Sequence, residues 1–514
     1  MAENISKDQA LKTLVKGSSI GFFGMVISQT IVYLLRLFLA RALTPSEYGL
    51  LFLGLSFINI TMSLSSLALF AGIERYVPYY MAKNERERAK GVVWSSIKMV
   101  FPFSIFLFVL IFIYADEIGF IFFGEPSLGS VLRIFSFSIP LYAMFKIFET
   151  VYLAFKKIKY DLISWHFGRS FVTLFFVVAF SILGFGLLGV TTGYVLGYAF
   201  ATFSSLILMQ KIFPISRSKE GMYKKLLVFS LPVLLYGILA DITTRIDTLL
   251  LGALKTSNEV GIYQTSIPTA QFLWSIPGTL GLIFVPVMTE LYAKRKMDEM
   301  KGVYKTIAKW GFYVNFPIFL LFFMYPNAVI NTLFGNEYLV AGNSLRILSF
   351  GYMIYFIGLL STLMLNVLEK TKYHILNSGL SLLLAFTLNY ILIPAYGIDG
   401  AAIATAVALT FYTILATSEV YIFSKNLPLH KNMVHGIFSG ILSILSIYTI
   451  TKILFVSLNI FILIMMFIAF FALYVFLLLV MKGFSSEDIM ILKAIEKKTG
   501  LKIDFLRKLI KKFI

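Results

Sequence analysis

The chain has 514 residues, 59% of them hydrophobic and 14% charged, with mean hydropathy +0.85 and a net charge of +19. Soluble domains are about half apolar and about a quarter charged, so this composition excludes an ordinary soluble enzyme or binding domain. The absence of cysteine excludes disulfides, thiolate metal sites and cysteine nucleophiles.

The apolar residues come in blocks of about 20, the length of one bilayer crossing. Backbone groups in lipid must find partners within their own segment, so each block reads as a helix and the fold class as an all-α polytopic membrane protein. The alternating pattern of a membrane barrel is missing. After a polar cytoplasmic N-terminus (1–16), fourteen spans follow: 17–40, 48–73, 93–114, 130–154, 161–183, 187–210, 226–253, 261–290, 304–325, 341–368, 373–393, 398–423, 434–453 and 459–481. The first is too long for the apolar region of a cleaved signal peptide and reads as a retained helix.

Charge tests the count. With the N-terminus inside, 35 lysines and arginines fall in cytoplasmic segments and only Arg41, Lys255 and Lys452 on the other side. That asymmetry predicts a plasma (inner) membrane protein with both termini cytoplasmic. It also explains the net charge without nucleic acid as a partner.

Five short matches recur in order at offsets of 211–213 residues: EYGL (47–50) with EVGI (259–262), FG (123–124) with FG (334–335), LRIFSF (132–137) with LRILSF (345–350), KIKY (157–160) with KTKY (370–373), and GLLG (186–189) with GIDG (397–400). The expected organisation is therefore two six-helix lobes in parallel pseudo-repeat, 17–211 and 226–424. A cytoplasmic linker (212–225) joins them, and two extra helices (434–481) follow. Such repeats are typical of transporters, with the substrate between the halves. The cytoplasmic tail (482–514) opens on a Ser485/Asp488 capping pattern. It ends in a basic amphipathic helix, with Phe505, Leu506, Leu509, Ile510 and Phe513 opposite Arg507, Lys508, Lys511 and Lys512, suited to an anionic leaflet.

Seven cations fall inside the spans: Arg36, Lys98, Arg133, Lys146, Arg169, Arg245 and Arg346. Each would cost about 2.5–3.5 kcal/mol at a helix centre. Lys146 with Glu149 and Asp241 with Arg245 stand one turn apart, so ion pairing competes with a ligand role. Arg133 and Arg346 hold equivalent repeat positions near the outer face, and Lys98 lies near the inner one, where snorkelling accounts for them. Arg36 and Arg169 have no acid one turn away. They are the leading candidates for an anionic ligand, because the arginine fork binds phosphate oxygens in pairs, with Arg245 as a helper. Asp241 and Asp247 are the candidate acids for ion coupling. The four histidines (His166, His374, His430, His435) show no metal-ligand spacing, so neither metal nor cofactor is expected. Proline and glycine crowd the eighth span, which is expected to bend. Tyr33, Tyr48, Tyr76, Tyr79 and Tyr80 read as an interfacial belt.

The stretch LARALTPSEYGLL (39–51), Asp247 with LLLG (249–252) and VGIY (260–263), FGNEY (334–338) and GIDGAAIATA (397–406) resemble the polysaccharide-exporter flippases of the multidrug/oligosaccharidyl-lipid/polysaccharide (MOP) superfamily, the polysaccharide biosynthesis protein family. The resemblance runs over nearly the whole chain. It implies two six-helix lobes around a central cavity, two further helices, alternating access, and an oligosaccharide on a polyprenyl phosphate or diphosphate as the translocated substrate. It assigns no particular arginine. Membrane lipids, H+ or Na+ and polysaccharide assembly proteins are the other expected partners. Two rivals are an exporter of small amphipathic molecules, which the net basic interior disfavours for organic cations, and a membrane-embedded glycan polymerase or ligase. The latter calls for a large outer loop or an acidic metal motif, and the sequence has neither.

Overall fold

The computed structural model describes residues 24, 27–215, 218, 220–278, 281–454, 460–485 and 488–489. The polar N-terminus and the amphipathic helix expected near the C-terminus lie outside the described residues. No strand occurs among those described, and ten helices are long and apolar enough to cross a membrane. The chain is an all-α, multi-pass membrane protein. Large apolar side chains such as Phe106, Phe171, Ile182, Leu383 and Ile453 are exposed on its surface, as a lipid solvent permits.

The chain divides into two compact units, Met1–Gln264 and Thr265–Ile514. In the first, α1 (27–42) leads into α2 (Pro45–Ser65), whose start is fixed by a capping box. Glu47 N–H donates to Thr44 Oγ1 at 3.3 Å, Thr44 N–H donates to Glu47 at 3.0 Å, and Pro45 sits at the first helical position. The 38-residue span Pro45–Ala82 is jogged where Leu67 and Ala68 take φ of +48° and +47° before α3 (Leu69–Ala82). Serine hydroxyls hold this break: Ser65 donates to the Met62 carbonyl at 2.7 Å, and Ser66 to that of Ser63 at 2.8 Å. The unit continues through α4 (Arg86–Ile113), α5 (Ala115–Phe123), α6 (Ser127–Ser136), α7 (Ser138–Ala154), α8 (Ile158–Asp161), a π-helical stretch (Leu162–Arg169), α9 (Ser170–Ile182), α10 (Gly186–Gln210), α11 (Tyr223–Thr243) and α12 (Ile246–Leu254). Its core joins Ile73 and Val77 of α3, Val92 and Val100 of α4, Val151 and Tyr152 of α7, and Leu226 of α11.

The start of α13 (Ser257–Gly278) repeats the capping box, with Thr256 and Glu259 exchanging backbone hydrogen bonds at 3.3 and 3.4 Å. It crosses the start of α2 closely. Ser46 and Ser257 hydroxyls are 2.8 Å apart, and a Cβ on Gly49 would strike the Ser257 carbonyl, as one on Gly261 would strike that of Pro45. Only glycine permits that approach.

The second unit contains the rest of α13, α14 (Gly281–Ala293), α15 (Met297–Met324), α16 (Pro326–Leu333), α17 (Ala341–Val367), α18 (Thr371–Ser424), α19 (Met433–Leu454) and α20 (Ile460–Val480). At 1.5 Å per residue a straight α18 would run about 80 Å, far beyond a bilayer. Gly397, with φ +55° and ψ −129°, interrupts it, at the turn expected between spans 373–393 and 398–423. The core gathers on α15 and α17, with Tyr304, Phe316, Phe356 and Met364 against Phe470 and Tyr474 of α20. Of the eighth span, α13 is helical to Gly278 and α14 from Gly281, and the stretch between them, where the bend is expected, lies outside the described residues.

Most of the intramembrane cations are tethered. Lys146 pairs with Glu149, and Arg133 with Asp116 at 2.6 Å. Arg346 donates to the Phe323 carbonyl at 3.0 Å, and Lys98 lies 5.5 Å from the Trp94 ring. The tyrosine belt is corrected in part, since Tyr48 and Tyr80 are buried in helix packing.

Candidate functional site

Glycines set the framework of the site. In the GYVLGY run of α10 (193–198), a Cβ on Gly193 would collide with Val177 and one on Gly197 with Thr173, so α9 and α10 pack through bare backbone. One position further along, Tyr194 and Tyr198 fall together on the next face of α10. Thr202 anchors α10 to α7 by donating to the Leu141 carbonyl at 2.8 Å, beside Tyr142. Ser28 and Ser170 hydroxyls, 3.0 Å apart, join α1 to the start of α9.

The fifth span is not a uniform α-helix. Leu162–Arg169 is π-helical, a form that concentrates at functional sites. Two local causes are present. The Ser164 hydroxyl donates back to the Tyr160 carbonyl at 2.8 Å, competing with the backbone ladder. Gly168 carries no Cβ, and one there would overlap the Phe200 ring and the Ile163 carbonyl. Trp165 and Arg169 come from this stretch.

These elements enclose a cavity of about 350 Å³, lined by Val32 and Arg36 of α1, Phe52, Leu55, Asn59 and Ser63 of α2, Tyr142 of α7, Trp165 and Arg169, Tyr194 and Tyr198 of α10, Asp241 of α11, and Arg245 in the break before α12. Every lining residue belongs to the first unit. The Arg36 guanidinium sits 4.6 Å from the Phe52 ring, and that of Arg169 lies 4.1 Å from Trp165 and 5.5 Å from Tyr198. Among the described residues neither has a carboxylate within ion-pair distance, and Arg169 Nε is buried without a hydrogen-bond partner. Arg245 differs, donating to Asp241 Oδ1 at 3.0 Å and to the Asp241 carbonyl at 3.3 Å. Three guanidiniums and one carboxylate leave the cavity at +2. Aromatic rings hold the two unpaired cations in place, an attraction of about 0.5–2 kcal/mol each that leaves the charge unneutralised. The Trp165 ring is itself stacked on Phe145 at 4.5 Å.

Of the residues expected from sequence, Arg36, Arg169, Arg245 and Asp241 thus meet in one chamber. Asp247 does not. It is buried at the start of α12, accepting from Thr248 N–H at 2.7 Å and from the Tyr263 hydroxyl at 3.0 Å. The aromatic panel (Tyr142, Trp165, Tyr194, Tyr198) and the polar pair Asn59 and Ser63 were not singled out from sequence. The GYVLGY spacing held the signal for the two α10 tyrosines.

The model of the polysaccharide biosynthesis protein family matches residues 38–343. A membrane protein of Methanocaldococcus jannaschii is 23% identical over 457 residues, covering 84% of this chain and 89% of its own. A Shigella flexneri protein named as an O-antigen transporter is 20% identical over 416 residues, 78% of this chain and 96% of its own. Among solved structures, the lipid II flippase MurJ in an inward closed conformation superposes with a TM-score of 0.74 at 16% identity, over 90% of this chain and 97% of that one, and so shares the fold. With more than half its length matched by the family model, the chain belongs to the polysaccharide biosynthesis protein family.

Proposed function

We propose that the protein is a flippase that moves an oligosaccharide linked to a polyprenyl phosphate or diphosphate from the cytoplasmic to the outer leaflet of the plasma membrane, for assembly of a surface glycan. Fourteen spans, arranged as two six-helix lobes in parallel repeat with two extra helices and both termini cytoplasmic, carry it by alternating access. The observation that carries the reading is the placement of Arg36 and Arg169, with no carboxylate at ion-pair distance among the described residues, in one chamber with Arg245 and an aromatic wall. Family membership and the flippase-like fold support it. The two arginines bind the phosphate, Arg245 assists, and the ring panel faces the sugar. An inside-negative potential assists outward movement by about 2.3 kcal/mol per negative charge per 100 mV when the loaded cavity moves net negative charge. Asp241, paired with Arg245 in the chamber, is the acid through which H+ or Na+ would act.

The test is flipping of a labelled polyprenyl-diphosphate sugar in proteoliposomes, scored by its accessibility from each leaflet. Arg36→Ala and Arg169→Ala are each expected to slow it at least tenfold, the loss of one charge-assisted hydrogen bond of about 1.5–3 kcal/mol. Full activity in both variants sinks the cationic-site reading. Transport of a cationic dye in place of the lipid favours the small-molecule exporter.

A further inference from the structure

A second cationic feature stands away from the cavity, where α3 ends and α11 begins. Gly72 lets these helices close, since a Cβ there would overlap Leu226. Four rings run in series across the junction. Phe229 lies 5.6 Å from Tyr76, Tyr76 6.3 Å from Tyr80, and Tyr80 5.2 Å from Tyr79. A cation lies against each of them. Arg75 is 4.6 Å from Phe229. Lys225 is 4.6 Å from Tyr76 and 5.3 Å from Tyr80, and its Nζ donates to the Tyr80 hydroxyl at 2.8 Å. Lys83 is 4.6 Å from Tyr79.

None of the three cations has a carboxylate within ion-pair distance among the described residues, although Glu74 and Glu85 are close in sequence. Lys225 is exposed, as are Arg75 and Lys83, yet it lies against two rings and spends one N–H on the buried Tyr80, leaving two donors open to a ligand. The rings hold three like charges along one aromatic row without neutralising them, so the group attracts an anion. Val228, Leu231 and Leu235 are exposed along one stripe of α11 leading away from the cluster, a surface suited to a hydrocarbon tail.

We infer that this cradle binds the net-anionic phosphate headgroup of a lipid in the leaflet on the basic side of the membrane. Arg75 supplies a planar fork, Lys83 and Lys225 supply point charges, and the α11 stripe takes the tail. The inference does not depend on the transport reading.

The test titrates detergent-solubilised protein separately with short-chain phosphatidylglycerol, phosphatidylcholine and farnesyl diphosphate, counting retained lipid by native mass spectrometry. Phosphatidylglycerol or farnesyl diphosphate is expected to be retained well above phosphatidylcholine, and the tighter of the two identifies the occupant. Arg75→Gln, Lys83→Gln and Lys225→Gln should each weaken retention about fivefold, and the triple variant about a hundredfold. Lys225→Arg keeps the charge and should keep most of the binding, which guards against a variant that fails to fold. With phosphatidylglycerol as the probe, Arg36→Gln/Arg169→Gln is expected to retain as much lipid as the parent, whereas its farnesyl diphosphate retention falls by the share held in the cavity. Equal retention of phosphatidylcholine, undiminished retention in the three single variants, or loss only in the Arg36/Arg169 variant overturns the inference.

Discussion

In the second unit, Lys309 and Asp488 are both fully buried, with Nζ 2.6 Å from Oδ2. Their surroundings are unequal. The carboxylate also accepts from Trp310 Nε1 at 2.8 Å, from the Ser485 N–H at 2.7 Å and from the Ser485 hydroxyl at 3.2 Å. Beyond Asp488, the ammonium's one further contact among the described residues is Ser485 Oγ at 3.4 Å. Lys309→Met therefore leaves an anion that keeps its other donors. Asp488→Leu strands a cation and orphans an indole and a backbone N–H. Breaking a buried pair costs about 3–5 kcal/mol, and each orphaned neutral donor about 1–3 kcal/mol more. We expect ~3 kcal/mol for Lys309→Met and at least ~5 kcal/mol for Asp488→Leu. In Lys309→Met/Asp488→Asn both charges go, while the amide oxygen still accepts from Trp310, so the cost falls to within ~2 kcal/mol of the parent. Unfolding in mixed micelles of rising dodecyl sulfate fraction, followed by tryptophan fluorescence, measures all three. The reasoning fails if the two single variants cost the same, or if the double variant is no more stable than Lys309→Met.

Three further outcomes are expected. The chain has no cysteine, so Ser46→Cys/Ser257→Cys, at hydroxyls 2.8 Å apart, should form one disulfide on mild oxidation, read by peptide mass. If the α2–α13 crossing opens during transport, that bond arrests flipping and a reductant restores it. Ala68→Gly removes a left-handed non-glycine residue (φ +47°) and should stabilise the fold by up to ~1 kcal/mol in the same micelle assay, whereas a loss would show that the break is not strained. Asp241→Asn frees Arg245 and takes the cavity from +2 to +3. It should raise affinity for a polyprenyl diphosphate more than for the monophosphate, and Arg36→Gln should do the reverse, both followed by quenching of Trp165. An unchanged ratio in both variants would show that cavity charge does not select between them.

The membrane class was legible because burial in lipid leaves a crude and repeated mark, and Gly397 marked the turn inside α18 as plainly as any loop. The local pairs were legible for a similar reason, since Lys146 with Glu149 and Asp241 with Arg245 are fixed by helix spacing alone. Asp247 shows where that reasoning stops. Its partner Tyr263 lies 16 residues on and arrives through packing, so spacing gave no warning that the acid was already satisfied. The π-helical stretch was equally hidden. It depends on a serine hydroxyl competing with its own backbone and on a glycine pressed against a ring from α10, and neither appears as a break in hydropathy. From sequence Tyr76 and Tyr80 read as belt residues, because aromatic residues near span ends suit an interface, but the geometry makes them the backing of a cation cluster.

The contrast among the three cavity arginines bears on how a transport site can hold charge without losing it. A carboxylate fixes a guanidinium firmly, but it also occupies the donors that a phosphate needs and cancels the charge that attracts it. Arg245 is in that condition, so a phosphate must displace Asp241 to use it fully. An aromatic face fixes a guanidinium by about 0.5–2 kcal/mol, taking up no N–H and no charge. Arg36 against Phe52, and Arg169 between Trp165 and Tyr198, are oriented in this second way. A flippase must release its lipid on the far side, so contacts of moderate strength serve it better than a fully enclosed ion cage. On the reading proposed above, two ring-held arginines set capture of the phosphate. The third, which must exchange partners, makes affinity responsive to whatever neutralises Asp241.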